Sequence, residues 1–146
     1  MSPQATRDPI TCHILDTHRG RPASSVLVQL YNISPVTPDT FSSTPFAQAK
    51  TDADGRITKW NFDPDVDAKL TGVEDNKWVR VVPGDYKIKF LTGKYFAEGA
   101  GNDNGDGKGR SFFPYVEVVF TVDDVNGHYH IPLLLSNYSY TTYRGS

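Results

Sequence analysis

The chain has 146 residues, the size of one domain with a core of its own. Its 15 lysines and arginines against 17 acidic residues leave a formal net charge of −2, which argues against nucleic acid as a partner, and no basic amphipathic stretch suits a membrane surface. The single cysteine, Cys12, cannot close an internal disulfide, so the fold must rest on packing.

Taken in order, the chain opens with Met1 to Arg7, which lack the apolar core of a signal peptide. Residues 1–9 are expected to be a flexible lead into one domain spanning 1–146. The first apolar run, Ile10-Thr11-Cys12-His13-Ile14-Leu15, is rich in strand formers. Val26 to Tyr31 sets Val26, Val28 and Leu30 on one face of a strand. Residues 34–45, rich in Pro, Ser and Thr, read as a loop. Asp52-Ala53-Asp54-Gly55 forms a turn into Arg56. The Asp-rich stretch 61–76 reads as a second long loop.

Tyr86-Lys87-Ile88-Lys89-Phe90 alternates as a half-exposed strand should. Helical periodicity is nearly absent, and the best place for one short helix is Lys94 to Glu98. The stretch 99–109, rich in Gly, Asn and Asp, is the third long loop. Part of it, Asn102 to Gly107, imitates a calcium loop, but the twelfth position is Phe113 and not glutamate, so calcium is rejected. Val116 to Val122 puts Val116, Val118, Phe120 and Val122 on one side, with Val119 opposite them. His128 to Leu135 is a further strand in which Pro132 implies an edge, a bulge or a strand end. Its run Ile131–Leu135 falls far short of the ~20 residues of a membrane span. Tyr138 to Tyr143 suits a last strand, which would pair with Tyr129–Leu135 and carry Arg144, Gly145 and Ser146 back toward His130. Many short strands in one domain indicate an all-β antiparallel sandwich.

The chemistry is sought first among four histidines, because their unperturbed pKa lies near neutrality. His13 and His130 both sit inside strand-forming runs. His18 and His128 adjoin turn residues and are expected to be solvated. Strand alternation puts His128 and His130 on one face, as zinc would require, but no third clustered ligand accompanies them, so no metal is expected. Arg56 reads either as a solvated arginine after a turn or as a planar guanidinium for ligand oxygens. Cys12 and His13, as strand neighbours, point to opposite faces and cannot act as a nucleophile pair.

Four blocks resemble the transthyretin-related family of 5-hydroxyisourate hydrolases. They are His13-Ile14-Leu15-Asp16-Thr17 with Gly20-Arg21-Pro22-Ala23; Asp54-Gly55-Arg56; Gly84-Asp85-Tyr86 through Thr92-Gly93-Lys94-Tyr95-Phe96; and Phe112-Phe113-Pro114 with His128 to Ser136 and the terminal Tyr143-Arg144-Gly145-Ser146. The terminal motif is the most specific of these. Asn137 and Thr141 depart from the family's frequent proline and serine.

The resemblance implies a transthyretin-like β-sandwich with one short helix. It also implies hydrolytic ring opening of 5-hydroxyisourate in urate degradation. The implied catalytic residues are His13, Arg56, His130 and Ser146, with His13, Arg56 and Tyr143 binding substrate. It implies a homotetramer with sites at the dimer–dimer interface. No organic cofactor is expected, because hydrolysis needs no electron sink. A cytoplasmic location is expected, with the peroxisome as the family's other compartment. The competing expectations are a transthyretin-like carrier that binds a small aromatic ligand without turnover, and a plain structural sandwich. Which histidine is the base stays open.

Overall fold

In the computed structural model, residues 7–34, 43–98 and 110–146 are described. The segment 99–109, with its calcium-like run, and most of the loop 34–45 lie outside them.

The elements in chain order are β1 (Ile10–Asp16), β2 (Arg21–Pro22), β3 (Leu27–Asn32), β4 (Ala47–Lys50), β5 (Arg56–Ile57), β6 (Asn61–Phe62), α1 (Ala68–Thr71), β7 (Val73–Glu74), β8 (Lys77–Trp78), β9 (Gly84–Phe90), α2 (Thr92–Ala97), β10 (Val116–Val122), β11 (Tyr129–Leu135) and β12 (Tyr140–Thr142). One sheet runs β12-β11-β1-β2, with β5 also paired to β1. The second runs β10-β9-β3-β4-β6, and β7 and β8 make a small hairpin. The expected all-β sandwich is therefore present, with two differences. β1 and β11 are parallel, the one such pair among the described strands. A second short helix, α1, lies inside the stretch expected to be loop, together with β6 and β7. Asp67 caps α1 by accepting from the Lys69 and Leu70 amides, and Gly72 closes it. Four residues are too few to leave a periodicity in the sequence.

Alternation builds the core. Ile10, Cys12 and Ile14 of β1 and Tyr129, Ile131, Leu133 and Leu135 of β11 face inward from the first sheet. Val28 and Leu30 of β3 and Tyr86, Ile88 and Phe90 of β9 meet them from the second. Val26, Val28 and Leu30 are buried as the pattern requires, and Val119 is exposed on the opposite side of β10 from Val116 and Val122. Asp8 and Pro9, expected to belong to a flexible lead, are hydrogen-bonded to the domain. The Asp8 amide donates to the Thr58 carbonyl at 2.7 Å, Asp8 Oδ2 accepts from the Trp60 amide at 2.8 Å, and the Pro9 carbonyl accepts from the Tyr129 amide at 2.8 Å.

Pro132 does not mark an edge strand, because β11 lies between β1 and β12. The His130 carbonyl accepts from the Gly145 amide at 2.8 Å. Backbone groups two residues apart point the same way, so the nitrogen of Pro132 faces the last strand and has no hydrogen to give it. The β12 ladder accordingly stops at Thr142 opposite Leu133, and pairing resumes as a single bridge between His130 and Gly145. The Thr142 hydroxyl donates to the Pro132 carbonyl at 2.8 Å across the gap.

The helix expected over Lys94–Glu98 forms slightly earlier, as α2, and is held to β1 by a buried polar contact. The Tyr95 hydroxyl donates to Asp16 Oδ2 at 2.7 Å, while the Arg19 amide donates to Oδ1 at 3.0 Å. Asp16 is fully buried. Burial, and then the Asp16 carboxylate beside it, push the Tyr95 hydroxyl pKa up, so it remains a donor. Tyr95→Phe should lower stability by about 1.5–3 kcal/mol, the range for hydrogen bonds to charged groups. Urea unfolding of the two proteins measures it, and equal midpoints would show the contact to be idle.

Candidate active site

The outward face of the first sheet carries the polar residues that alternation excludes from the core. His13 leaves β1 on this face, opposite Arg56 in the β1/β5 register. A tight turn fixes Arg56. Asp52 Oδ1 accepts from the Asp54 amide at 2.9 Å and from the Arg56 amide at 3.0 Å, and the Gly55 carbonyl accepts from the Ile14 amide at 2.8 Å. Gly55 has φ +75°, and a side chain there would press to 2.5 Å from the Ile14 carbonyl oxygen. Glycine is therefore required on both counts.

His130 of β11 lies beside His13, their rings stacked with centroids 6.5 Å apart. His128 follows on the same face, 6.3 Å from His130. The expectation that His128 is a solvated turn residue is overturned. It is half-buried, and its Nε2 lies 3.1 Å from Thr11 Oγ1. Its neighbour in that contact, Thr11, lies across from His130 in the parallel register and is nearly buried. The same Thr11 hydroxyl is 2.7 Å from His130 Nδ1. His18, by contrast, lies in the exposed turn after β1, apart from this group.

The chain end returns as expected. β12 pairs antiparallel with β11, and Gly145 bridges His130. The reason for the glycine differs from the expected sharp turn. A Cβ at Gly145 would sit 2.7 Å from His130 Cδ2 and 2.9 Å from Pro132 Cγ, so it is close approach that demands glycine. Ser146 follows, exposed, next to that bridge. Arg144 lies over the Tyr129 ring at 4.6 Å, a cation–π contact that ties down the tail. Tyr143 lies at a cleft of about 250 Å³, where the edges of the two sheets come together. His130, Val119, Thr121 and Arg144 share that cleft, whereas His13 and Arg56 do not line it. The histidine face itself is open.

Electrostatics favour neutral rings. Burial, then the Arg56 guanidinium, lower the His13 pKa, while the Asp54 backbone and the Asp52 and Asp54 carboxylates oppose them. Burial, then Arg56, His128, His13 and Arg7, push His130 down to about 4. Burial and then Arg7 lower His128. At neutral pH the face thus offers uncharged imidazoles, able to accept or donate a proton, beside a fixed positive charge. Such a set suits attack of water on a polarised carbonyl. Among the described residues no group of three or more His, Cys, Asp or Glu side chains is arranged to hold a metal.

Comparison with known proteins follows the same line. A model of the HIUase/transthyretin family matches residues 10–145. A probable 5-hydroxyisourate hydrolase of Schizosaccharomyces pombe is 41% identical over 147 residues, covering 99% of this chain and 96% of its own. The structure of Klebsiella pneumoniae 5-hydroxyisourate hydrolase superposes with a TM-score of 0.64 at 26% identity, over 94% of this chain and 97% of that one. The crystal structure of transthyretin from Sparus aurata does so with 0.65 at 29% identity, over 95% and 97%. The backbone is thus about equally like that hydrolase and that transthyretin.

The ring environments can be measured directly. In a proton NMR titration, His13, His128 and His130 should titrate below the ordinary 6.5, with His130 lowest, near 4. Arg56→Gln removes a cation that opposes ring protonation, so the pKa values of His13 and His130 should both rise. Rings that titrate at 6.5 or above in the unaltered protein would contradict this account.

Proposed function

The chain belongs to the HIUase/transthyretin family, and from that premise we propose that its polar sheet face is the active site of a 5-hydroxyisourate hydrolase. The enzyme hydrolyses 5-hydroxyisourate to 2-oxo-4-hydroxy-4-carboxy-5-ureidoimidazoline, opening a cyclic amide in urate degradation. One observation carries the reading over a carrier. Two neutral imidazoles, His13 and His130, are stacked 6.5 Å apart beside Arg56 and the returning chain end. A channel that only binds an aromatic ring has no use for such groups.

The chemistry follows from what these groups do best. Water is a poor nucleophile, and a neutral imidazole takes its proton as the oxygen bonds to the ring carbonyl. Charge then develops on the carbonyl oxygen, where Arg56 and a donor imidazole offset it. When the C–N bond breaks, the imidazolium returns its proton to the leaving nitrogen, which regenerates the resting site. Tyr143 contacts the flat heterocycle, and Ser146 brings a hydroxyl to the reacting region. No step draws on an organic cofactor.

We also propose a homotetramer with sites at the dimer–dimer interface. Two features support it. The histidine face is open within one subunit, so a facing subunit would exclude water from it and strengthen its electrostatics. The edges of β10 and β12 are free among the described strands, and the apolar side chains of Val119 and Tyr143 beside them are 62% and 57% exposed.

His13→Ala and His130→Ala should each lower kcat about 10²-fold or more, the scale of a lost general acid–base group. Removing Tyr143 to Ser146 should leave a folded sandwich by circular dichroism with turnover down at least ~10²-fold, because positioned groups are lost. Decay of 5-hydroxyisourate absorbance measures both, and a folded, fully active truncation would refute the role of the tail. Light scattering at assay concentration should report a tetramer; an active monomer would refute the assembly.

A further inference from the structure

Thr11 belongs to none of the groups assigned a role above, yet its hydroxyl is shared by two histidines. It lies 2.7 Å from His130 Nδ1 and 3.1 Å from His128 Nε2. A hydroxyl has one hydrogen to give. It could accept from both, but its own hydrogen, on a residue only 2% exposed, would then have no partner among the described residues. It therefore donates to one ring and accepts from the other, and each choice fixes both tautomers.

The unused nitrogen of His128 decides between them. His128 Nδ1 is buried and has no hydrogen-bond partner among the described residues. If Thr11 donated to His128 Nε2, the proton of neutral His128 would sit on Nδ1, as a buried N–H with nothing to bond. Orphaned buried N–H groups are rare, and an unpaired acceptor is tolerated better. In the other arrangement, His128 carries its proton on Nε2 and gives it to Thr11, and the bare lone pair of Nδ1 is what is buried. Thr11 then donates to His130 Nδ1. Neutral His130 is left with its proton on Nε2.

His13 completes the division of labour. Its ring centroid lies 6.5 Å from that of His130, and a neutral imidazole carries its proton on one nitrogen and a lone pair on the other. The two rings stacked at this site are thereby set as opposites, His130 with a hydrogen to offer and His13 with a pair of electrons.

Building on the hydrolase reading, we propose that Thr11 is a positioning residue, which with His128 holds His130 in the Nε2–H form, so that His130 donates a hydrogen bond to the substrate while His13 is the base. Water then loses its proton to His13 as its oxygen joins the carbonyl carbon. The His130 N–H steadies the oxygen that gains charge and keeps its own proton throughout. The C–N bond breaks, and His13 passes the proton it took to the leaving nitrogen. Protons balance within one turnover, and His130 never has to ionise. A neutral imidazole used as an electrophile in this way has a precedent in general enzyme chemistry. Threonine suits the post, because its β-branch restricts χ1 and fits a strand, holding the hydroxyl in one direction.

The test reads the tautomer first and the rate second. Ring nitrogen shifts of ¹⁵N-labelled protein, from long-range proton–nitrogen correlation near pH 7, should show His130 protonated on Nε2 and bare on Nδ1. Thr11→Val keeps the shape of the side chain and removes the hydrogen bonds. It should broaden or invert that preference and lower kcat about tenfold with KM within about twofold, the equivalent of one hydrogen bond. Thr11→Ser should restore the tautomer and most of kcat. A His130 protonated on Nδ1 in the unaltered protein would overturn the proposal, as would a folded Thr11→Val protein with unchanged kcat. The tautomer needs no turnover to be read. A chain inactive toward 5-hydroxyisourate would thus sink the hydrolase reading, while the nitrogen shifts judged the tautomer on their own.

Discussion

Seven residues of β1 run in parallel register with seven of β11, and the rest of the molecule depends on that ladder. Side chains alternate across a strand, so one register both fills the core and assembles the site. Ile10, Cys12 and Ile14 go in with Tyr129, Ile131 and Leu133, while Thr11 and His13 go out with His128 and His130. A slip by one residue would put every side chain of β1 on the wrong face. It would expose two fully buried isoleucines, at about 1.5–3 kcal/mol each, and press His13 into apolar surroundings. These costs approach the whole stability of an ordinary domain, ~5–15 kcal/mol. The geometry of the polar face is therefore enforced by residues that never touch it.

That dual use explains what the sequence discloses. Period-two patterns located the long strands β3, β9 and β10, and the same logic placed His13 and His130 in strands and brought the tail back to His130. The pattern is silent on which strands become neighbours. The contact between Thr11 and His130 joins positions 119 apart, and a threonine among strand formers reads simply as another strand former. The surroundings of His128 are hidden from the local sequence for the same reason. Asn126 and Gly127 beside it do form a turn region, but its own surroundings come from β1. The short strands β5 to β8 and the four-residue α1 are set by caps and partners elsewhere in the chain, and so offer no local period.

Proline 132 shows how a local rule can be right about chemistry and wrong about place. Its missing N–H does interrupt a ladder, but the interruption falls on the partner strand and not on its own. The gap frees Tyr143 from regular pairing just before Gly145 is drawn against His130. A strand that carried an ordinary residue at position 132 would have one more donor facing the tail and one less reason for it to leave the sheet. The last four residues owe their path to a hydrogen bond that cannot be made.

Cys12 lies directly behind His13 in the chain, fully buried on the core side of the same strand. Burial raises the pKa of its thiol, and only a thiolate reacts readily with alkylating agents. In the folded chain this sulfur is chemically silent. It becomes visible only when the sheet beneath the histidines opens, so the rate at which it is labelled is a stopwatch for that opening. The protein carries its own probe of how often the floor of the site gives way, in a sulfur that plays no part in what happens above it.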